Sequence, residues 1–235
     1  FLAPGTSEGT RGKTFGGGGA SVFIRLGTRV TEASLPEDWV APHELVHVAS
    51  PSLAGGHSWF SEGLASYVEP IARAQAGLLS PEHVWRDLMD GLPQGLPEPG
   101  DQGLEKDHSW GRVYWGGALY FLLADLGIRE QTGNARSLAD AVRAVAATGA
   151  NVETTWPIER MVMEGDRGTG TRILRDLYAR MALAPGSEDL AELWTRLGIR
   201  ASGQGVKFDD SAPLSSFRRA ITAEVAGREI QTALP

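Results

Sequence analysis

His43-Glu44-Leu45-Val46-His47, read together with Trp59-Phe60-Ser61-Glu62-Gly63-Leu64-Ala65-Ser66-Tyr67 downstream, decides how this chain is organised. On a helix, His47 falls one turn beyond His43, offset by roughly 40° and displaced by about 6 Å, so both imidazoles reach one ion from the same face. Glu44 lies about 100° round from His43, near enough to touch a water on that ion without displacing either ligand. With five histidines in the chain, composition alone produces HExxH in under about one chain in a hundred. The plain alternative is two ordinary histidines on a helix whose other face is Leu45, Val46 and Val48.

A hydrolytic zinc site takes three protein ligands and keeps a fourth position for water. Glu62 stands 15 residues after His47, which leaves room for a helix end, a tight loop and the start of an antiparallel helix. Its neighbours are small or apolar, and a carboxylate on an apolar helix face is costly unless paired or bound to a cation. His57, in the Gly55-Gly56-His57 turn, competes for the same role with less constrained geometry. Glu69 returns to nearly the same face about 10 Å further along, too far to share the ion. It reads either as a group orienting a ligand histidine from behind or as an exposed helix-end acid. His83 and His108 read as ordinary side chains, although His108 ends a long loop and can face substrate.

Outward from these two helices the pattern is α+β and mostly helical. Residues 1–36 are rich in Gly and Thr, with a β-like run over Ala20–Leu26 and a second strand expected over Thr28–Ala33. Gly16–Gly19 precede the first run and allow another backbone to approach closely. Gly17, Gly18 and Gly19 are therefore candidate substrate-binding positions beside a sheet edge that pairs with an extended peptide, a flexible turn being the alternative. Valine at Gly18 or Gly19 is then expected to raise KM. Helices are expected from Pro36 to Ser50, with the regular part starting a few residues late where Pro42 lies in the first turn, and from Trp59 to Glu69, where Pro70 ends or kinks the second. Further helices fall over Ser80–Asp90, Trp110–Arg129, Ser137–Ala147, Arg172–Ala182 and Glu188–Leu197, with a closing strand over Val206–Asp209. Gly91–Asp107 is a Gly/Pro-rich loop of the length associated with lids and binding loops. No repeat and no linker divides the chain. Residues 1–235 read as one domain: 1–36 form the sheet, 37–76 the metal-binding helices and 77–235 a helical lobe closing the cleft.

Composition narrows the function. The 235 residues are 42% hydrophobic and 22% charged, which excludes wholesale disorder. Net charge is −7 and no basic cluster exceeds Arg218-Arg219, so nucleic acid is not an expected partner. The best apolar stretch, Tyr114 to Ala124, falls well short of the ~20 residues a spanning helix needs. The absence of cysteine removes disulfides, thiolate zinc sites and thiol nucleophiles together, so any metal is held by His and carboxylate. The chain opens at Phe1 without a leader, which reads as a processed product, periplasmic or secreted in preference to cytoplasmic. Oligomeric state stays open.

HELVH followed by WFSEGLASYVE resembles the gluzincin metallopeptidases, the thermolysin-like clan with two histidines and a downstream glutamate as ligands. Val113-Tyr114-Trp115-Gly116-Gly117-Ala118-Leu119-Tyr120 resembles the tyrosine block of the aminopeptidase N and glycyl aminopeptidase families. Gly127-Ile128-Arg129, Ser137 to Ala141 and Gly198 to Arg219 are most similar to the glycyl aminopeptidase family. The resemblance spans about residues 15–220. It implies a thermolysin-like catalytic domain with one Zn²⁺ on His43, His47 and Glu62. Glu44 is then the general base, and Tyr114 stabilises the tetrahedral intermediate, with Tyr67 as a weaker substitute. The chain differs from those families in three respects. The spacer between His47 and Glu62 is shorter, Gly16–Ala20 lacks the glutamate that holds a substrate α-amine, and Trp115 replaces a residue of the tyrosine block. The expected function is a zinc-dependent peptidase, either an aminopeptidase or a short-peptide endopeptidase. The alternatives are a zinc-bearing interaction domain without catalysis and a metal-free helical binding module.

Overall fold

The sheet expected near the N-terminus forms, but with a different partner strand. The computed structural model describes residues 1–4 and 9–225. Strands β1 (Leu2–Pro4), β2 (Arg11–Phe15) and β3 (Ser21–Leu26) make a sheet in the order β1-β3-β2. β2 runs antiparallel to β3 with Phe15 opposite Ser21, and β1 runs parallel with Leu2 opposite Ile24. The second strand expected over Thr28–Ala33 is absent; a turn there leads into a 3₁₀ turn at Glu32–Glu37. β3 already has a neighbour on each side, so no edge is left for that segment to pair with. Gly17, Gly18 and Gly19, at φ of 99°, 81° and 115°, close the β2–β3 hairpin, a conformation L side chains rarely adopt. The strand expected at the edge is thus the central one, and β1 and β2 are the edges.

The regular part of the first helix starts a few residues after Pro36, as the position of Pro42 requires. Pro36 and Glu37 end the 3₁₀ turn, and α1 spans Val40–Val48, with the Asp38 carboxylate accepting from the Val40 N–H at 2.9 Å. Pro42 falls in the first turn, where its missing N–H costs nothing. After the short strand β4 (Ser52–Leu53), α2 runs over Ser58–Gln75, straight through Pro70. The helix continues past the proline because Ile71 and Ala74 beyond it are buried in the core. Arg73 also reaches back across Pro70 to Glu69 at 2.9 Å.

α3 (Pro81–Gly91) is capped by Ser80, whose hydroxyl accepts from the His83 N–H at 3.2 Å. A π-helical turn at Arg112–Gly116 then feeds directly into α4 (Gly117–Thr132), so the expected single helix is present with one widened turn. α5 (Leu138–Ala146) follows, then β5 (Thr155–Trp156), which pairs in parallel with β4. Next comes α6 (Ile158–Thr169), which the sequence reading left out. Its glycines hide it: a Cβ at Gly168 would lie 2.3 Å from that of Ala144, so glycine there lets α6 pack on α5. α7 (Ile173–Leu177), a second π turn at Tyr178–Ala182, α8 (Leu190–Leu197), the hairpin β6 (Ile199–Ser202) to β7 (Gly205–Phe208), and α9 (Ser215–Thr222) complete the described chain. Residues 226–235, the end of the expected helical lobe, lie outside the described residues.

The core centres on the crossing of α2 and α4. A Cβ at Gly63 would lie 2.3 Å from Gly117 Cα, and one at Gly117 would lie 2.1 Å from the Trp59 carbonyl oxygen. The two backbones therefore touch. Trp59, Phe60, Tyr120 and Phe121 pack edge to face around this contact, with ring centroids 4.8–5.4 Å apart for the T-shaped pairs. The architecture is α+β and mostly helical. Among the described residues no helix is long and apolar enough to cross a membrane.

Candidate metal centre

α1 and α2 bring three side chains to one point. Glu62 Oε2 lies 3.1 Å from His43 Nε2 and 3.5 Å from His47 Nε2. Ligand atoms of the three residues all fall within 4.8 Å of one another. Two donors each about 2.0–2.1 Å from a tetrahedral ion sit roughly 3.3 Å apart, so the observed spacings suit one small divalent cation. The group can hold a metal ion. Burial acts to raise the Glu62 pKa, but hydrogen bonds and charge from His43 and His47 outweigh it and hold the carboxyl at about 2. Glu62 is therefore ionised and ready to ligate.

Glu44 is buried beside this group and turned towards β2. The Thr14 hydroxyl lies 2.6 Å from Glu44 Oε2 and 3.0 Å from the Glu44 carbonyl oxygen. The approach needs a glycine two residues earlier on the same strand face. A Cβ at Gly12 would lie 2.5 Å from Glu44 Cγ, 2.7 Å from its Oε1 and 2.8 Å from Val40 Cγ1. Sequence reasoning missed both Gly12 and Thr14. The signal available was an isolated glycine inside the run Arg11-Gly12-Lys13-Thr14-Phe15, which marks a close backbone approach.

Tyr114 sits on the π turn, a device often found at functional sites. Its ring lies nearly parallel to that of His43, 6.5 Å between centroids, and stacks on Trp110 at 5.4 Å. Burial, followed by the neighbouring Glu62 and Glu44 carboxylates, pushes the phenol above its ordinary pKa. Tyr114 thus stays protonated, as a donor. Tyr67, the other tyrosine considered, is fully buried elsewhere and donates to Asp125 at 2.9 Å.

The loop expected to act as a lid or binding segment packs against the turn that carries Tyr114. Leu92 and Leu104 are buried, and Arg112 donates to the Gly95 carbonyl while pairing with Asp101 at 2.8 Å. A Cβ at Gly95 would lie 2.1 Å from Gly116 N. Gly91–Asp107 thus braces the π turn that carries Tyr114, and no residue of it lines the metal cleft.

The remaining candidates disperse. His57 bonds through Nδ1 to Glu105 at 2.8 Å, with the Tyr178 hydroxyl donating to the same carboxylate at 3.0 Å, so it is not a ligand. His83 is exposed and pairs with Asp87 at 3.1 Å, and His108 is exposed outside the cleft. Glu69 is buried rather than exposed, with Arg73 as its ion-pair partner, and burial raises its pKa. Gly17, Gly18 and Gly19 do not line the cleft; the Gly19 N–H donates to Glu153 at 2.7 Å. Their place is taken by residues 10–14 of the β2 edge, which wall a cavity of about 800 Å³ together with His43, Glu44, His47, Glu62 and Tyr114. Gly18→Val is accordingly expected to leave the KM for peptides unchanged while destabilising the hairpin, because valine at positive φ is strained. A raised KM with unaltered stability would restore the glycines as a substrate contact.

Comparisons with protein-family models, with curated proteins and with solved structures return no match. Any reading of function therefore rests on the site itself.

Proposed function

We propose that this chain is a zinc-dependent peptidase of the gluzincin type, with a thermolysin-like catalytic domain acting as an aminopeptidase or a short-peptide endopeptidase. One observation carries the reading: the ligand group His43, His47 and Glu62 shares a single cleft with a buried carboxylate, Glu44, and a protonated phenol, Tyr114. A structural metal site has no need of those last two groups. Zinc bound there supplies a Lewis acid and an acidified water.

The chain's own residues perform the rest. Glu44 takes a proton from the attacking water and delivers it to the leaving amine. Tyr114 donates a hydrogen bond to the oxyanion that develops on the scissile carbonyl. The free edge of β2 along the cleft offers backbone groups to an extended peptide, in place of the strand expected from the sequence. Thr14 fixes the rotamer of Glu44 through the 2.6 Å bond. Thr14→Val is expected to lower kcat roughly tenfold with little change in KM, and Thr14→Ser to recover most of the loss. Equal kcat in Thr14→Val and wild type would remove Thr14 from the machinery.

The deciding experiment is metal analysis combined with a peptide-library digest read by mass spectrometry. About one zinc per chain and discrete cleavage products are expected. A protein that stays inert after zinc loading contradicts the proposal. Products shortened one residue at a time indicate the exopeptidase mode, and internal fragments the endopeptidase mode.

A further inference from the structure

A second cavity of about 390 Å³ adjoins the metal cleft across a shared wall of Trp39, His43, Trp110 and Tyr114. Its size is that of a small ligand site. Trp39 and Trp110 are 53% and 59% exposed on its rim, an unusual amount of indole surface to leave in water. Further in, Pro70, Leu88 and Trp115 add apolar wall. The buried charges of the cavity wall, Glu69 and Arg73, engage each other, and Asp87 and Asp90 lie exposed at its mouth with partners of their own. Glu69 pairs with Arg73 at 2.9 Å, Asp87 with His83 at 3.1 Å, and Asp90 with Arg86 at 2.6 Å. An incoming charged side chain would shed water and find the buried carboxylate of this wall, Glu69, already engaged by Arg73. Apolar contact and ring stacking are what remain to select an occupant.

We infer that this cavity is a substrate subsite that receives a large apolar or aromatic side chain from a residue flanking the cleaved bond. The inference rests on the peptidase reading above. The shared wall supplies the register. Trp39 meets the His43 ring edge-on at 5.2 Å, and Trp110 stacks on Tyr114 at 5.4 Å. A side chain held between the two indoles therefore belongs to a residue next to the carbonyl that faces the metal group.

The test uses zinc-loaded wild type, Ser66→Phe and Gln94→Trp. The two substituted residues line this cavity but not the metal cleft, and they lie on different segments, so a folding defect in one leaves the other informative. In a peptide-library digest, wild type should favour Phe, Tyr, Trp, Leu or Met over Gly at one flanking position by roughly 10- to 100-fold. Either variant should shift that position to Gly and Ala while still cutting small-residue peptides. In parallel, N-acetyl-phenylalaninamide and N-acetyl-glycinamide are titrated against tryptophan fluorescence, with a response expected only for the first and lost in the variants. Cleavage without a side-chain preference, or with a preference for Lys, Arg, Asp or Glu, overturns the subsite and leaves the peptidase reading standing. Phenylalaninamide binding that the variants abolish, in a protein that cuts nothing, supports the apolar cavity and removes the peptidase reading. Neither binding nor cleavage removes both.

Discussion

Glu44→Gln is expected to lower peptide hydrolysis by roughly 10²- to 10⁴-fold while bound zinc stays at the wild-type level. The substitution keeps the size and shape of the side chain, so the close packing beneath Gly12 is undisturbed. The amide oxygen can still accept from Thr14. What is lost is the ability to take a proton. Glu44 is not among the three converging ligand residues, so zinc content should not follow activity. Steady-state kinetics alongside elemental analysis reads both quantities. Turnover at the wild-type rate would remove Glu44 as the base, whereas parallel loss of zinc and activity would place it in the metal shell. A zinc-bearing interaction domain predicts a different result: full zinc and no hydrolysis in either protein.

Gly63→Ala should destabilise the fold by about 3 kcal/mol or more, and weaken zinc binding with it. Two effects compete at this position. Alanine is the better helix former by about 1 kcal/mol. Against that, the new methyl would stand 2.3 Å from Gly117 Cα and 2.4 Å from its carbonyl carbon, where no flexible side chain can yield. α2 and α4 must then separate in a close-packed core, and the clash outweighs the propensity. Gly127→Ala serves as the control on α4, since the nearest atoms to its Cβ would belong to the flexible Ile173 side chain, at 3.1 Å and beyond. It should stay within about 1 kcal/mol of wild type. Urea denaturation of the metal-free proteins measures the difference, and equal midpoints for Gly63→Ala and wild type would refute it. The coupling to zinc follows from position, because Glu62 adjoins Gly63 and Tyr114 lies one turn before Gly117 on the facing helix.

These two sites differ in how much of them the sequence discloses. The His43–His47 pair follows from helical periodicity, a local property that needs no knowledge of the rest of the chain. Glu62 was legible because an acid among small and apolar neighbours asks for a cation. Tyr114 came from resemblance, and its π turn was not visible because the widened turn depends on Gly95 and Leu104 packing against it. α6 was hidden by glycines that read as breaks although they mark close helix contacts.

Residue spacing along one helix was enough to nominate His43, His47 and Glu44, and the apolar neighbours of Glu62 were enough to add the third ligand, since these are local properties of the chain. Which strand edge faces that group was decided by tertiary pairing. β3 takes β1 on one side and β2 on the other, so the edges pass to β1 and β2, and β2 carries Gly12 and Thr14 onto Glu44. That contact joins residues 30 positions apart. The touching backbones of α2 and α4, which set Glu62 and Tyr114 in one cleft, join Gly63 to Gly117. No local pattern specifies such encounters, because they arise only when separate elements bury their surfaces against one another.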